Sequence, residues 1–311
     1  MVSKTLDRFG IGLALIGEIL VFAFLSPYFF TADNLLNVTL QISITAIIAV
    51  GMTFVILTEG IDLSVGSLVA FVGVVGTMLL KVELPYAAAF VLSLLASLFV
   101  GAVSGGIAGL FITRFRITPF IVTLALMTIW RGAAFVVTEG RPVWELPEAF
   151  ASLGSGRTLG IPNPTIIMII IFILAHVSLT RTKFGRYVYA IGGNIEASRL
   201  AGINTSKVLV QVYTISGTLS ALSGVLLASR MNSGQPNSGL MYELDVIAAV
   251  VVGGTSLSGG RGSIIGTLIG SLLIGILRNG LNLLNVGSYV QQVVVGAVIL
   301  LAVLLDQMRK R

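Results

Sequence analysis

Long apolar runs separated by short polar clusters set the pattern of this chain. A membrane span needs about 20 mostly apolar residues, and runs that meet or approach that length lie near 10 to 29, 38 to 57, 63 to 80, 86 to 112, 119 to 138, 164 to 180, 208 to 229, 243 to 257, 263 to 280 and 289 to 306. These ten runs predict an all-α, polytopic membrane protein with about ten transmembrane helices in a single domain over residues 1–311. Two of them, Leu63 to Leu80 and Glu243 to Leu257, are short or start on acidic residues, and they predict broken or partial helices. The N-terminal run from Phe9 to Phe30 follows Lys4 and Arg8 as a secretory signal would, but it is long enough to span and lacks a clear small-x-small cleavage site, so it is expected to be retained.

Sidedness follows from the loops, because Lys and Arg accumulate on the cytoplasmic side of short connections. With the N-terminus inside and every run crossing, the inner side collects Lys4, Arg8, Arg114, Arg116, Arg181, Lys183, Arg186, Arg199, Lys207, Arg261, Arg309, Lys310 and Arg311, 13 of the 19 basic residues. Both termini are therefore expected in the cytoplasm. The largest outer loop, about 139–163, and the largest inner loop, about 181–207, are each too short for a folded domain, so capture and energy must come from elsewhere.

Composition narrows the class further. Only 10% of residues are charged, against roughly 25% in a soluble domain, while 56% are hydrophobic. The net charge of +6 comes from short clusters between apolar runs rather than from one basic face, which argues against nucleic acid. There is no cysteine. His176, the one histidine, has no Glu-x-x-His neighbourhood, so no metal site is expected. Ser256 to Ser263 resembles a phosphate loop superficially, yet the chain contains no Gly-Lys dipeptide and hence no Walker-type nucleotide site, and no serine sits in a hydrolase pattern. No catalytic residue and no cofactor is expected.

Within this frame a few positions stand out. Gly101, Gly105 and Gly109 recur every four residues, as do Gly262, Gly266 and Gly270, and each set predicts a flat helix ridge for close packing, inside one subunit or against a second copy. In the inner loop Asn194 is placed to cap a helix of about two turns and Gly202 to end it in a left-handed conformation. A helix that short does not persist in water alone, so its order must come from packing on its own chain or in a partner's groove. At Thr58 to Ser64, Asp62 and Ser64 have two readings, as caps of the next helix or as substrate contacts. Glu18 and Arg131 fall inside predicted spans, where ionisable groups are costly. A faint echo joins Gly60 to Gly66 with Gly239 to Asp245, each with acid at the mouth of a short apolar run, and the predicted topology puts them on opposite faces, as an inverted repeat would.

The stretch Val50 to Ser67 (VGMTFVILTEGIDLSVGS) closely resembles the ribose-type permeases of bacterial ABC importers, and so do Tyr242 to Gly260 and Gly280 to Leu284, the similarity running from about Leu25 to Asp306. The resemblance implies an inner-membrane core of two permease copies, a cytoplasmic ATPase with two nucleotide-binding domains and a periplasmic sugar-binding protein. It also implies that the inner-loop helix couples permease to ATPase. Gly193, Asn194, Glu196, Ala197, Ser198, Arg199 and Gly202 are the candidates for that coupling: Glu196 to Gly202 resembles the importer signature Glu-Ala-Ala followed three residues later by Gly, with Ser198 in place of the second alanine and the Ile-x-Leu-Pro that often follows missing. D-ribose is the substrate the resemblance implies first, with another pentose, a hexose or a furanosyl signal such as autoinducer-2 as alternatives. The expected mechanism is alternating access along a mildly polar or apolar path. Its candidate lining or gating residues are Gln41, Thr45, Thr53, Asp62, Ser64 and Asn282. An ion-coupled secondary transporter is the rival reading, for which only Glu18 and Arg131 are available inside the spans.

Overall fold

A computed structural model describes residues 2–308. Arg309, Lys310 and Arg311 of the inner basic set lie outside the described residues, as do the side chains of Lys4 and Arg8. Among the described residues the regular elements are helices and one small hairpin: α1 (Val2–Leu25), α2 (Ala32–Leu57), α3 (Val65–Leu79), α4 (Tyr86–Arg114), α5 (Pro119–Thr138), α6 (Glu148–Ser155), β1 (Arg157–Thr158), β2 (Ile161–Pro162), α7 (Asn163–Arg181), α8 (Lys183–Gly193), α9 (Ile195–Leu200), α10 (Thr205–Met231), α11 (Tyr242–Val252), α12 (Ile264–Leu283) and α13 (Ser288–Met308). Each of the ten apolar runs coincides with a helix. Six of these, α2, α4, α5, α7, α10 and α12, are long and apolar enough to cross a membrane, and Gly10–Leu25, Val65–Leu79 and Ser288–Leu301 are shorter apolar helices.

The bundle is built around α2. From Ile42 to Leu57 almost every side chain is buried, with Ile47, Ile48, Ala49, Val50 and Met52 fully enclosed. A helix apolar on every face belongs at the centre of a larger assembly, and α2 packs on α7, α10, α11 and α12. The outer helices show the converse pattern, with Leu95, Phe99, Val136 and Leu174 exposed as lipid-facing residues must be. The packing of α4 on α10 rests on missing side chains. A Cβ on Gly101 would meet Gly217 and Ala221, one on Gly105 the backbone of Tyr213, and one on Gly109 the Val210 Cα at 2.6 Å.

The second glycine ridge is shorter than expected. Gly262 is not in α12: the Ser263 hydroxyl accepts from the Gly266 amide at 3.0 Å and starts the helix after it, and Gly262 lies against Thr255 with φ 155°. The ridge is therefore Gly266 and Gly270, pressed on Gly253 and Ala249 at the end of α11.

The two short runs become half-length helices. At 1.5 Å per residue α3 and α11 are about 22 and 16 Å long, against a hydrocarbon core of about 30 Å. Since Gly51 packs on Ser216 and the Ser223 hydroxyl donates to the Ile44 carbonyl, α2 and α10 run antiparallel, and the chain dips into the bundle from opposite ends, at 58–64 and at 232–241. The first turn of α3 meets the second dip, for Gly66 and Gly239 touch backbone to backbone. The echo segments, expected on opposite faces, are thus in contact, because each stops part-way through the bundle instead of at its surface.

Candidate functional site

Backbone groups exposed by such breaks must find partners inside the protein. Asp62, only 2% exposed, supplies them for the first break: one carboxylate oxygen accepts from the Ser64 amide at 3.0 Å and its hydroxyl at 2.6 Å, the other from the Ser216 hydroxyl of α10 at 2.7 Å. Asp62 thus closes a turn on Ser64 just before α3 and ties it to α10, and no side chain caps the first amides of α3 itself. Arg131 on α5 supplies them for the second break, its guanidinium donating to the Pro236 and Ser238 carbonyls at 2.8 and 2.7 Å. Thr53 is fully buried and tied to Thr267 of α12 at 2.6 Å.

A cavity of about 200 Å³ opens between α2, α10, α11 and α12. Its walls carry Gln41 and Thr45 from α2, Arg230 from the end of α10, Tyr242 and Asp245 from the first turn of α11, and Ser271 and Arg278 from α12, with Ile42, Ala249, Ile274 and Gly275 as apolar surface. Arg278 donates to Asp245 in an ion pair whose side chains are 38% and 12% exposed. The pair fastens the half-helix α11 to the full-length α12. Two buried polar atoms here, the Ser271 hydroxyl and the Arg278 Nε, have no hydrogen-bond partner among the described residues.

Of the path candidates, Gln41 and Thr45 therefore line the cavity; Thr53, Asp62 and Ser64 do not, being locked in the interior. Asn282 sits exposed at the end of α12 and accepts a 3.5 Å bond from Gln291. Sequence reasoning missed Arg230, Tyr242, Asp245, Ser271 and Arg278, and it expected a mildly polar or apolar lining where two guanidiniums and a carboxylate stand. The available signal was an Arg and an Asp within apolar helices, positions at which a charge is costly. Glu18 and Arg131 do not line the cavity, and one Glu18 carboxylate oxygen is buried without a partner. His176 lies in a separate apolar groove between α7 and α12, beside Phe172 and Leu268. Among the described residues no cluster of side chains could hold a metal ion.

The inner-loop helix lies at the other end of α2. Asn194 ends α8 and starts α9, its side chain accepting from the Ala197 amide at 2.8 Å, and Gly202 leaves the helix with φ 81°. Ser198 is the one buried residue of α9 and donates to the Asn194 carbonyl at 2.8 Å. Glu196 and Arg199 pair at 3.0 Å on the open face, and Leu200 beside them is 89% exposed. The preceding α8 is clamped to the bundle: a Cβ on Gly192 would strike the Leu57 carbonyl that closes α2, and that carbonyl accepts from the Gly260 amide at 2.9 Å. The Tyr189 hydroxyl donates to the Gly262 carbonyl at 2.9 Å, and burial pushes its phenol above the usual tyrosine range, which keeps it a donor. Through these contacts α8 joins α9 to the end of α2, whose other half forms a wall of the cavity.

The family described as branched-chain amino acid transport system / permease component matches residues 34–303. The chain is 49% identical over 298 residues to the ribose import permease protein of Haemophilus influenzae, covering 94% of this chain and 91% of that one. It is 48% identical over 305 residues to the ribose import permease protein of Bacillus subtilis, covering 97% and 93%. It is 38% identical over 309 residues to the L-arabinose ABC transporter permease protein of Azospirillum brasilense, covering 99% and 90%. No solved structure matches. With most of its length matched, this chain belongs to the family of branched-chain amino acid transport system permease components.

Proposed function

We propose that the chain is the membrane subunit of an ATP-driven importer of a free monosaccharide, D-ribose first among them. The carrying observation is the mechanical line from an exposed, capped α9, through the α8 clamp on Leu57, along α2 to a polar cavity at Gln41 and Thr45. Relatives named as ribose import permeases at 48–49% identity support the substrate, and a relative named as an L-arabinose transporter permease at 38% identity supports another pentose as the alternative. No bond is made or broken by this chain. A partner ATPase hydrolyses ATP, and a binding protein on the other side delivers the sugar.

In this reading Gly193, Asn194, Glu196, Ala197, Ser198, Arg199 and Gly202 form the contact to the ATPase. Leu200 adds an apolar anchor of the kind a partner groove takes up. The ten apolar helices form the bundle in a bacterial inner membrane, with both termini cytoplasmic and the cavity in the outer half. The meeting of α3 and α11 from opposite ends supports inverted halves, and a second copy completes the core. ATP-dependent uptake of labelled D-ribose by proteoliposomes holding this chain, its ATPase and the binding protein is the expected result, abolished when α9 is replaced by a Gly-Ser linker. Uptake driven by an ion gradient with no ATPase present would overturn the reading, and would return attention to the unpartnered carboxylate oxygen of Glu18.

A further inference from the structure

We infer that the cavity between α2, α10, α11 and α12 is a built subsite for the adjacent hydroxyls of a neutral sugar ring, with Asp245, Ser271 and Arg278 as its specificity-determining residues. The inference rests on the import reading and sharpens it, since a mere conduit needs no such lining. At about 30 Å³ per water molecule, the roughly 200 Å³ cavity has room for a single sugar ring and little more. Its hydrogen-bonding groups are of both kinds. Arg278 offers a buried Nε without a partner, Ser271 a buried hydroxyl without a partner, and Asp245 a carboxylate of which one oxygen is engaged by Arg278.

A buried polar group left unpaired is costly, so the unpartnered donors on two turns of α12, with the Asp245 carboxylate beside Arg278, call for a ligand that can answer both kinds of group. Adjacent hydroxyls do so, one donating to Asp245 while its neighbour accepts from Arg278 or Ser271. A carboxylate answers Arg230 and Arg278 but only accepts, and so leaves the Asp245 carboxylate facing a like charge. Ile274, Gly275 and Ala249 give the C–H face of a ring an apolar wall. Because the same ion pair joins α11 to α12, a sugar bridging Asp245 and Arg278 competes with the contact between the two helices. Ligand and helix position are thereby linked.

Titration of D-ribose onto the full-length chain in nanodiscs, followed by saturation-transfer NMR, tests this. Ser271→Ala is the informative variant, because its hydroxyl has no partner among the described residues and its loss breaks nothing in the fold. It should weaken D-ribose binding about three- to tenfold, as loss of one hydrogen bond does. Asp245→Asn should weaken it by about tenfold or more, and D-ribose 5-phosphate should bind less tightly than D-ribose. Wild-type affinity in Ser271→Ala, tighter binding of the phosphate, or no saturable binding to the wild type each overturns the inference. If the wild-type assembly imports D-ribose with ATP while Ser271→Ala keeps its affinity and KM, the subsite alone fails; if the wild type imports no D-ribose, the functional reading fails first.

Discussion

At the scale of single residues the protein is decided by contacts too close for a side chain. Gly105 and Gly106 are neighbours on α4 with opposite surroundings: a Cβ on Gly105 would collide with the Tyr213 backbone, whereas one on Gly106 would rest 3.7 Å from the Thr214 hydroxyl. Backbone cannot step aside as a side-chain tip can. Gly105→Ala is expected to cost at least the ~1–3 kcal/mol of overpacking, and Gly106→Ala to stay within about 1 kcal/mol of wild type, both read as thermal unfolding in detergent. Arg131 makes the complementary case, of a residue present because backbone is missing its partners. Arg131→Ala strips the Pro236 and Ser238 carbonyls of a charged donor. Each such bond contributes about 1.5–3 kcal/mol, so hydrogen exchange at 232–241 should rise well above that of the bundle. Exchange rising equally everywhere would show that Arg131 supports the whole fold rather than this segment.

At the scale of elements, the short pieces carry more than the long ones. α9 has six residues, too few to nucleate a helix alone, and it depends on the Asn194 cap and the clamp of α8. Asn194→Ala removes the acceptor of the Ala197 amide and should cost about 1 kcal/mol, seen as roughly fivefold faster exchange in α9 with unchanged unfolding of the bundle. ATP-driven uptake should fall with it, and Asn194→Ser, which keeps an acceptor, should restore most of both. α3 and α11 show why broken helices persist in lipid: Asp62 and Arg131 satisfy the breaks from within. A continuous helix would need neither, and would leave no place where two segments meet inside the bundle.

At the scale of the molecule, transport by alternating access requires the walls of the cavity to move relative to each other. The Ile42 Cβ lies 3.4 Å from the position a Cβ would take on Gly275, close to the spacing of a disulfide. The chain has no cysteine of its own, so an introduced pair reports on itself alone. Ile42→Cys with Gly275→Cys should cross-link α2 to α12 on oxidation and reduce ATP-driven uptake at least tenfold, with recovery on reduction. Full uptake by the fully cross-linked protein would mean that α2 and α12 move as one body.

The sequence by itself determined the helical membrane class, the ten apolar elements, the two short runs at 63–80 and 243–257, and the caps of the inner-loop helix at Asn194 and Gly202. These are legible because apolar length, acid at a helix mouth and cap residues act locally, within a turn or two of the residues that carry them. Contacts between distant segments left no such trace. That Asp62 meets Ser216 of α10, that Arg131 reaches carbonyls more than a hundred positions away, and that Asp245 and Arg278 pair across a cavity were decided only by how the helices pack. Charge inside an apolar run marks a position that calls for a partner, but in a one-dimensional pattern every distant partner is equally near, and only packing in three dimensions chooses among them.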